Sequence, residues 1–195
     1  MCLDIIEELV DGCQTTPDTV EITHVQVQNT IDIEVDKDTV CIPEGVLFTN
    51  NSDMTNFDSV YWSFGDGTTS NSQGSASHTY NTVQCFDLTV TLVNTLGCEV
   101  DSTFPEIVCA YPLPIAGFSS GPFEPIVPET TIAFTSTSVG ATLYNWNFAG
   151  LGISNSEDTT FEFPKTEGGS YPVTLAVSNE GGCSDQVTKL IIIKN

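Results

Sequence analysis

Val60-Tyr61-Trp62-Ser63-Phe64-Gly65-Asp66-Gly67 is the stretch whose reading decides the fold of this chain. Val60, Trp62 and Phe64 fall on one face of an extended strand, and the strand breaks at Gly-Asp-Gly. A period of two marks a half-buried strand. Gly65 and Gly67 permit the positive φ angles of a tight turn, and Asp66 can cap it through backbone amides. The string has a counterpart in Leu143-Tyr144-Asn145-Trp146-Asn147-Phe148-Ala149-Gly150.

The similarity extends outward in both directions. Leu47-Phe48-Thr49-Asn50-Asn51-Ser52 precedes the first copy, and Ile132-Ala133-Phe134-Thr135-Ser136-Thr137-Ser138 precedes the second. Phe86-Asp87-Leu88-Thr89-Val90-Thr91-Leu92-Val93-Asn94 leads to Gly97-Cys98. Its match, Tyr171-Pro172-Val173-Thr174-Leu175-Ala176-Val177-Ser178-Asn179, leads to Gly182-Cys183. An internal repeat of this length is the signature of tandem units. Two units are expected, 30–110 and 111–195. Cys2-Leu3-Asp4-Ile5 matches Cys85-Phe86-Asp87-Leu88, and Gly12-Cys13 matches Gly97-Cys98. Residues 1–29 therefore read as the C-terminal strands of a preceding, truncated repeat, with 20–27 as its last strand. By the same match, residues 3–10 read as a strand although Ile-Ile-Glu-Glu-Leu also suits a helix.

Further alternating runs occupy residues 31–35, 46–49, 86–93, 131–135 and 172–178, separated by Gly, Asn, Asp, Ser and Pro clusters such as Asn179-Glu180-Gly181-Gly182. Helix signals are nearly absent. Many short strands at close spacing indicate an all-β sandwich or barrel.

Composition narrows the function. The 195 residues include 26 acidic and 4 basic ones, a net charge of −22. That charge repels nucleic acid and anionic membrane surfaces, and it keeps a protein soluble. No apolar run approaches the ~20 residues of a membrane span. The start, Met1 to Glu7, lacks the basic and apolar regions of a signal peptide, so export signals are expected outside this stretch. Seven cysteines without a CxxC pair, and only two histidines, point to disulfides and an oxidising compartment rather than to zinc or iron–sulfur ligation. The odd count leaves at least one cysteine over. No Gly-x-Ser-x-Gly elbow, His-Glu-x-x-His or phosphate-binding glycine loop occurs, so no enzyme is expected.

The string Trp62-Ser63-Phe64-Gly65-Asp66-Gly67, followed by His78-Thr79-Tyr80, the Leu-Thr-Val-Thr-Leu strand and Asn94, resembles the PKD domain, an immunoglobulin-like β-sandwich. The second copy keeps Tyr144-Asn145-Trp146-Asn147-Phe148 and its Val-Thr-Leu strand. It departs where Gly-Asp-Gly becomes Ala149-Gly150-Leu151 and where His-Thr-Tyr becomes Phe161-Glu162-Phe163. The resemblance implies tandem PKD sandwiches, the second degenerate. Cys41 before the first core strand, Gly97-Cys98, and the ending from Gly182 to Asn195 are similar to PKD repeats in gliding-motility-associated surface proteins of Bacteroidetes. In that family such repeats precede a sorting domain for type IX secretion.

Several roles follow. Trp62 and Trp146 are expected as core anchors between sheets, and Tyr80 near a sheet corner with its hydroxyl satisfied. His78 reads as structural rather than catalytic. The resemblance pairs Cys41 with Cys98. Cys85 and Cys109 lie at the open end of the last hairpin of their repeat, placed to bridge adjacent strands. For Cys183, a free thiol and a partner outside its own repeat both stay open. Cys2 and Cys13 would by the repeat have lost their usual partners. The resemblance also implies a calcium site at Asn51, Ser52 and Asp66, with Asp53 and Asp58 nearby; the competing reading is ordinary turn capping. No other cofactor is expected.

The functional expectation is a non-enzymatic extracellular stalk or filament on a bacterial cell surface, adhesive and linked by resemblance to gliding motility. Short linkers such as Tyr111-Pro112-Leu113-Pro114 would limit bending between units. Expected partners are neighbouring repeats, other surface proteins and extracellular polysaccharide. Two alternatives stand beside it. One is a spacer or substrate-binding module of a secreted hydrolase or protease. The other is a subunit of a surface polymer that assembles by strand pairing.

Overall fold

The computed structural model describes residues 30–195. The strands expected in residues 1–29, with Cys2 and Cys13, lie outside the described residues. The described residues form strands and turns with no helix. In chain order the first strands are β1 (Ile33–Val35), β2 (Thr39–Cys41), β3 (Gly45–Asn50), β4 (Ser59–Ser63), β5 (Thr69–Ser70), β6 (Ser75–Thr79), β7 (Cys85–Val93) and β8 (Glu99–Tyr111). They make a three-stranded sheet, β1-β3-β6, and a five-stranded sheet, β2-β8-β7-β4-β5. The second copy supplies β9 (Phe118–Gly121), β10 (Thr131–Ser136), β11 (Leu143–Phe148), β12 (Ile153–Ser154), β13 (Thr159–Glu162), β14 (Gly169–Ser178) and β15 (Ser184–Ile193). These form the sheets β13-β10-β9 and β12-β11-β14-β15. Each copy is thus a sandwich of two sheets, and the fold is all-β and immunoglobulin-like.

By compactness the chain divides into two units. Among the described residues, one comprises 30–36, 47–78 and 87–107; the other comprises 37–46, 79–86 and 108–195.

In the first unit the alternation of β4 buries Val60, Trp62 and Phe64, and that of β7 buries Leu88, Val90 and Leu92. Trp62 lies opposite Val90 in the antiparallel pair of β4 and β7. Phe48 reaches from β3 in the other sheet to within 6.4 Å of the Trp62 ring and 5.5 Å of Phe64, centroid to centroid. The indole N–H of Trp62 donates to the Ser72 carbonyl at 2.7 Å. A buried indole needs such a partner, because an unpaired donor in the core costs about 1–3 kcal/mol.

The second unit repeats this plan. Phe118 and Phe134 cross from their sheet to Trp146, at 5.1 and 5.6 Å. Val173, Leu175 and Val177 of β14 line the same core. Trp146 lies opposite Leu175 and donates to the Ser156 carbonyl at 2.8 Å. A Thr–Thr hydroxyl bridge also recurs, between Thr89 and Thr103 at 2.9 Å and between Thr174 and Thr188 at 2.8 Å.

In the first copy β2 makes a parallel contact. Thr39, Val40 and Cys41 align with Cys109, Ala110 and Tyr111 at the end of β8, and the Ile42 amide donates to the Tyr111 carbonyl at 2.9 Å. In the second copy Ile126 bridges Lys194 in parallel, and Val127 donates to the Lys194 carbonyl. Ile126 thus holds the place that Cys41 holds in the first copy.

Trp146 is wholly buried among Phe118, Phe134 and Phe148. Trp146→Ala should lower the unfolding free energy by about 3–5 kcal/mol, read from the shift of the urea midpoint at unchanged slope.

Candidate functional site

The Gly-Asp-Gly turn after β4 is built around one carboxylate. Asp66 Oδ1 accepts from the Thr68 amide at 2.9 Å and from the Thr68 hydroxyl at 2.6 Å. Asp66 Oδ2 lies 2.7 Å from His78 Nε2. The imidazole in turn stacks on Phe64, 4.3 Å between centroids with planes 7° apart. Gly65 has φ +80°, and a Cβ there would lie 2.5 Å from the Asp87 carbonyl oxygen. Desolvation pushes the Asp66 carboxyl up, but the Thr68 and His78 hydrogen bonds outweigh it and hold the group below its ordinary range.

The second copy reaches the same geometry with other residues. Phe161 stacks on Phe148 at 4.3 Å and 8°, so a phenyl ring stands where His78 stands. Gly150 replaces the aspartate, and the turn keeps its left-handed backbone through Ala149 at φ 55° and Gly150 at φ 77°. An apolar ring needs no carboxylate partner, so the two replacements go together.

The residues named for calcium also take part in turn hydrogen bonds. Asn51 donates its amide N–H to the Asp32 carbonyl at 2.8 Å, and its Nδ2 lies 3.5 Å from Glu34 Oε2. Ser52 Oγ accepts from the Asp32 amide at 2.9 Å. Asp53 accepts from the backbone and hydroxyl of Thr55. Asp66 serves Thr68 and His78. Among the described residues no group of three or more His, Cys, Asp or Glu side chains is placed to hold a metal ion.

The cysteines require a correction. Cys41 is bonded to Cys183, at a Cα separation of 5.6 Å, and not to Cys98. The reason lies in the register of β2. Cys41 aligns with Tyr111 at the far end of β8, whereas Cys98 immediately precedes the first residue of that strand. Thirteen strand residues span roughly 40 Å, far beyond the reach of a disulfide. The turn carrying Cys183 comes to Cys41 through close packing. A Cβ on Gly181 would lie 2.3 Å from the Tyr111 ring. Asn179 Nδ2 donates to the Pro112 carbonyl at 2.8 Å, while its Oδ1 accepts from the Gly181 and Cys183 amides. Asn94 caps the matching turn through the Leu96 and Cys98 amides. Cys98 is itself disulfide-bonded. Cys85, the first residue of β7, is bonded to Cys109. The sequence signal for the Cys41 bond was the lone Cys183, whose repeat has Ile126 where a Cys41 equivalent would stand.

The named aromatics are core residues in the structure. Trp62, Trp146 and Tyr80 are each at most 1% exposed, and Tyr80 stacks on Phe86 at 4.0 Å. No buried side-chain polar atom among the described residues lacks a hydrogen-bond partner. A shallow groove of about 470 Å³ lies on the outer face of β11 and β14, lined by residues that include Leu143, Tyr144, Asn145, Asn155 and Ser184. Its one titratable group is Tyr144, whose phenol is pushed up by desolvation and by Glu157 and Asp158.

The family model of the PKD domain matches residues 40–106. Among solved structures, the first PKD domain of the Vibrio cholerae metalloprotease PrtV is 25% identical and covers 43% of this chain and 99% of that one, with a TM-score of 0.37. The corresponding domain of Vibrio anguillarum Epp is 20% identical over 42% and 94%, with a TM-score of 0.36. Murine CEACAM1b is 12% identical over 85% and 99%, with a TM-score of 0.51, a likeness of fold alone. No curated protein matches the chain. Residues 40–106 thus match the PKD domain model, and the likeness to CEACAM1b is one of immunoglobulin-like fold.

Three outcomes follow. Because the folded Asp66 carboxyl binds its proton less tightly than the unfolded one, its contribution to stability is complete above about pH 4 and is lost as pH falls through the folded value. Asp66→Asn should thus lower stability near neutrality, and urea titrations should show the gap to the parent closing toward pH 2. Non-reducing peptide mapping should recover a Cys41–Cys183 peptide pair. Cys41→Ser with Cys183→Ser should lower the unfolding free energy by about 4–5 kcal/mol, the chain-entropy value for so long a loop.

Proposed function

We propose that this chain is a non-catalytic stalk segment of a secreted bacterial surface protein, carrying load between an anchored end and an adhesive end. The observation that carries the reading is the pair of disulfides, Cys41–Cys183 and Cys85–Cys109, on two copies of one sandwich. Disulfides persist in oxidising compartments outside the cytosol. The acidic surface suits an exposed module that stays soluble and is not drawn to nucleic acid. The large aromatics sit in the cores, with Tyr61 and Phe123 the exposed ones among the described residues, which favours a structural role over a glycan-stacking platform. The similarity of Gly182 to Asn195 to repeats of gliding-associated surface proteins supports a motility adhesin as the parent, exported by type IX secretion. Surface proteins and extracellular polysaccharide are the proposed partners.

The test uses the native source. Protease added to intact cells should remove the segment, and cells lacking it should lose attachment to a surface while secreted hydrolase and protease activities stay unchanged. Loss of a secreted activity with attachment intact would overturn the stalk reading in favour of an enzyme accessory module.

A further inference from the structure

The Cys41–Cys183 bond closes a covalent loop with a sequence separation of 142. Most of the described strands lie inside it. Both core tryptophans and the whole of β3 to β14 fall between the two cysteines. Cys85–Cys109 is nested within the same loop. Outside it on the C-terminal side is β15, Ser184–Ile193, and on the N-terminal side are β1 and the rest of β2.

Consider tension applied between the two ends of the chain. Force entering at the C-terminal end runs along β15 to Cys183, crosses the sulfur bridge to Cys41, and leaves along β2 toward β1. The outer elements on this route are strands, and a strand at about 3.3 Å per residue is already close to full extension. The backbone from β3 to β14 is not in series with the load, although β3 and β14 pair with the outer strands β1 and β15. Without the bond, the same force would act on that backbone directly, outside the span that Cys85–Cys109 closes.

From this connectivity we propose that the Cys41–Cys183 disulfide is a load-bearing bypass, which caps the extension of the segment by keeping the chain between the two cysteines out of the stretched contour. The use of the bypass in the organism rests on the stalk reading. The bypass itself is a property of the chain and is measured without that reading.

The local structure supports a bond that is held in place. Gly181 packs so closely on Tyr111 that no Cβ is admitted, and Asn179 ties the turn to Pro112 as well as to the Cys183 amide. Cys183 is 1% exposed, so a reductant in solution has little access while the turn is folded.

The experiment is single-molecule force extension of the full chain held by handles at its two ends, first oxidised and then after tris(2-carboxyethyl)phosphine. The enclosed span corresponds to roughly 470–510 Å of extended chain, so full reduction should add several hundred ångströms of contour length that the oxidised chain withholds. The oxidised double variant Cys41→Ser, Cys183→Ser should lengthen under force with no reductant. The oxidised double variant Cys85→Ser, Cys109→Ser should not lengthen beyond the parent, because both positions lie inside the larger loop. Equal contour lengths for oxidised and reduced parent would overturn the proposal. So would lengthening of the Cys85, Cys109 variant while Cys41–Cys183 is intact. Should the bypass hold while attachment proves independent of the segment, the stalk reading fails and the mechanical inference stands.

Discussion

Each sandwich depends on one buried indole. Trp62 and Trp146 are the largest side chains in their cores, and each N–H must be satisfied where water does not reach. Both are satisfied by the carbonyl ten residues further on, Ser72 or Ser156. That bond fixes where the chain returns after the turn. It thereby sets the short pairs of β4 with β5 and of β11 with β12. Phe48 and Phe134 then fill the gap between the sheets from the opposite side. Strand spacing, turn position and the second sheet all follow from placing the indole first.

Much of this was legible in the sequence. The period of two around Trp62 and Trp146, and the repeat of flanking strands, specify the sheets because a one-residue slip would turn every core side chain to solvent. The Cys41 pairing was not legible. It hangs on a three-residue parallel contact of β2 with the end of β8, and three residues carry too little pattern to reveal their register. The family resemblance suggested Cys98, but strand length decides against it. The capping roles of Asn94 and Asn179 recur in both copies, yet the sequence does not reveal that Asn179 also reaches Pro112. The turn residues Ser52 and Asp66 were legible as capping residues, but their partners Asp32 and Thr68 are set by tertiary structure.

The disulfides and the cores divide the work of stability. Hydrophobic packing is distributed over many small contacts and fails gradually as single residues are lost. A covalent tie across most of the chain restricts the unfolded ensemble as a whole. Such a chain tolerates degeneracy in its motifs, and the second copy shows it: the Gly-Asp-Gly and His-Thr-Tyr strings are gone while the sandwich remains.

The exchange of His78 and Asp66 for Phe161 and Gly150 has an evolutionary consequence. Converting one arrangement into the other by single substitutions passes through an intermediate that is worse than either end. A phenyl ring beside the retained aspartate would strip the carboxylate of a hydrogen-bond partner. An imidazole beside glycine would keep a polar edge with its carboxylate partner gone. Each single replacement thus leaves a polar group with a partner fewer, so the two residues are coupled and either one changed alone should cost more stability than both together.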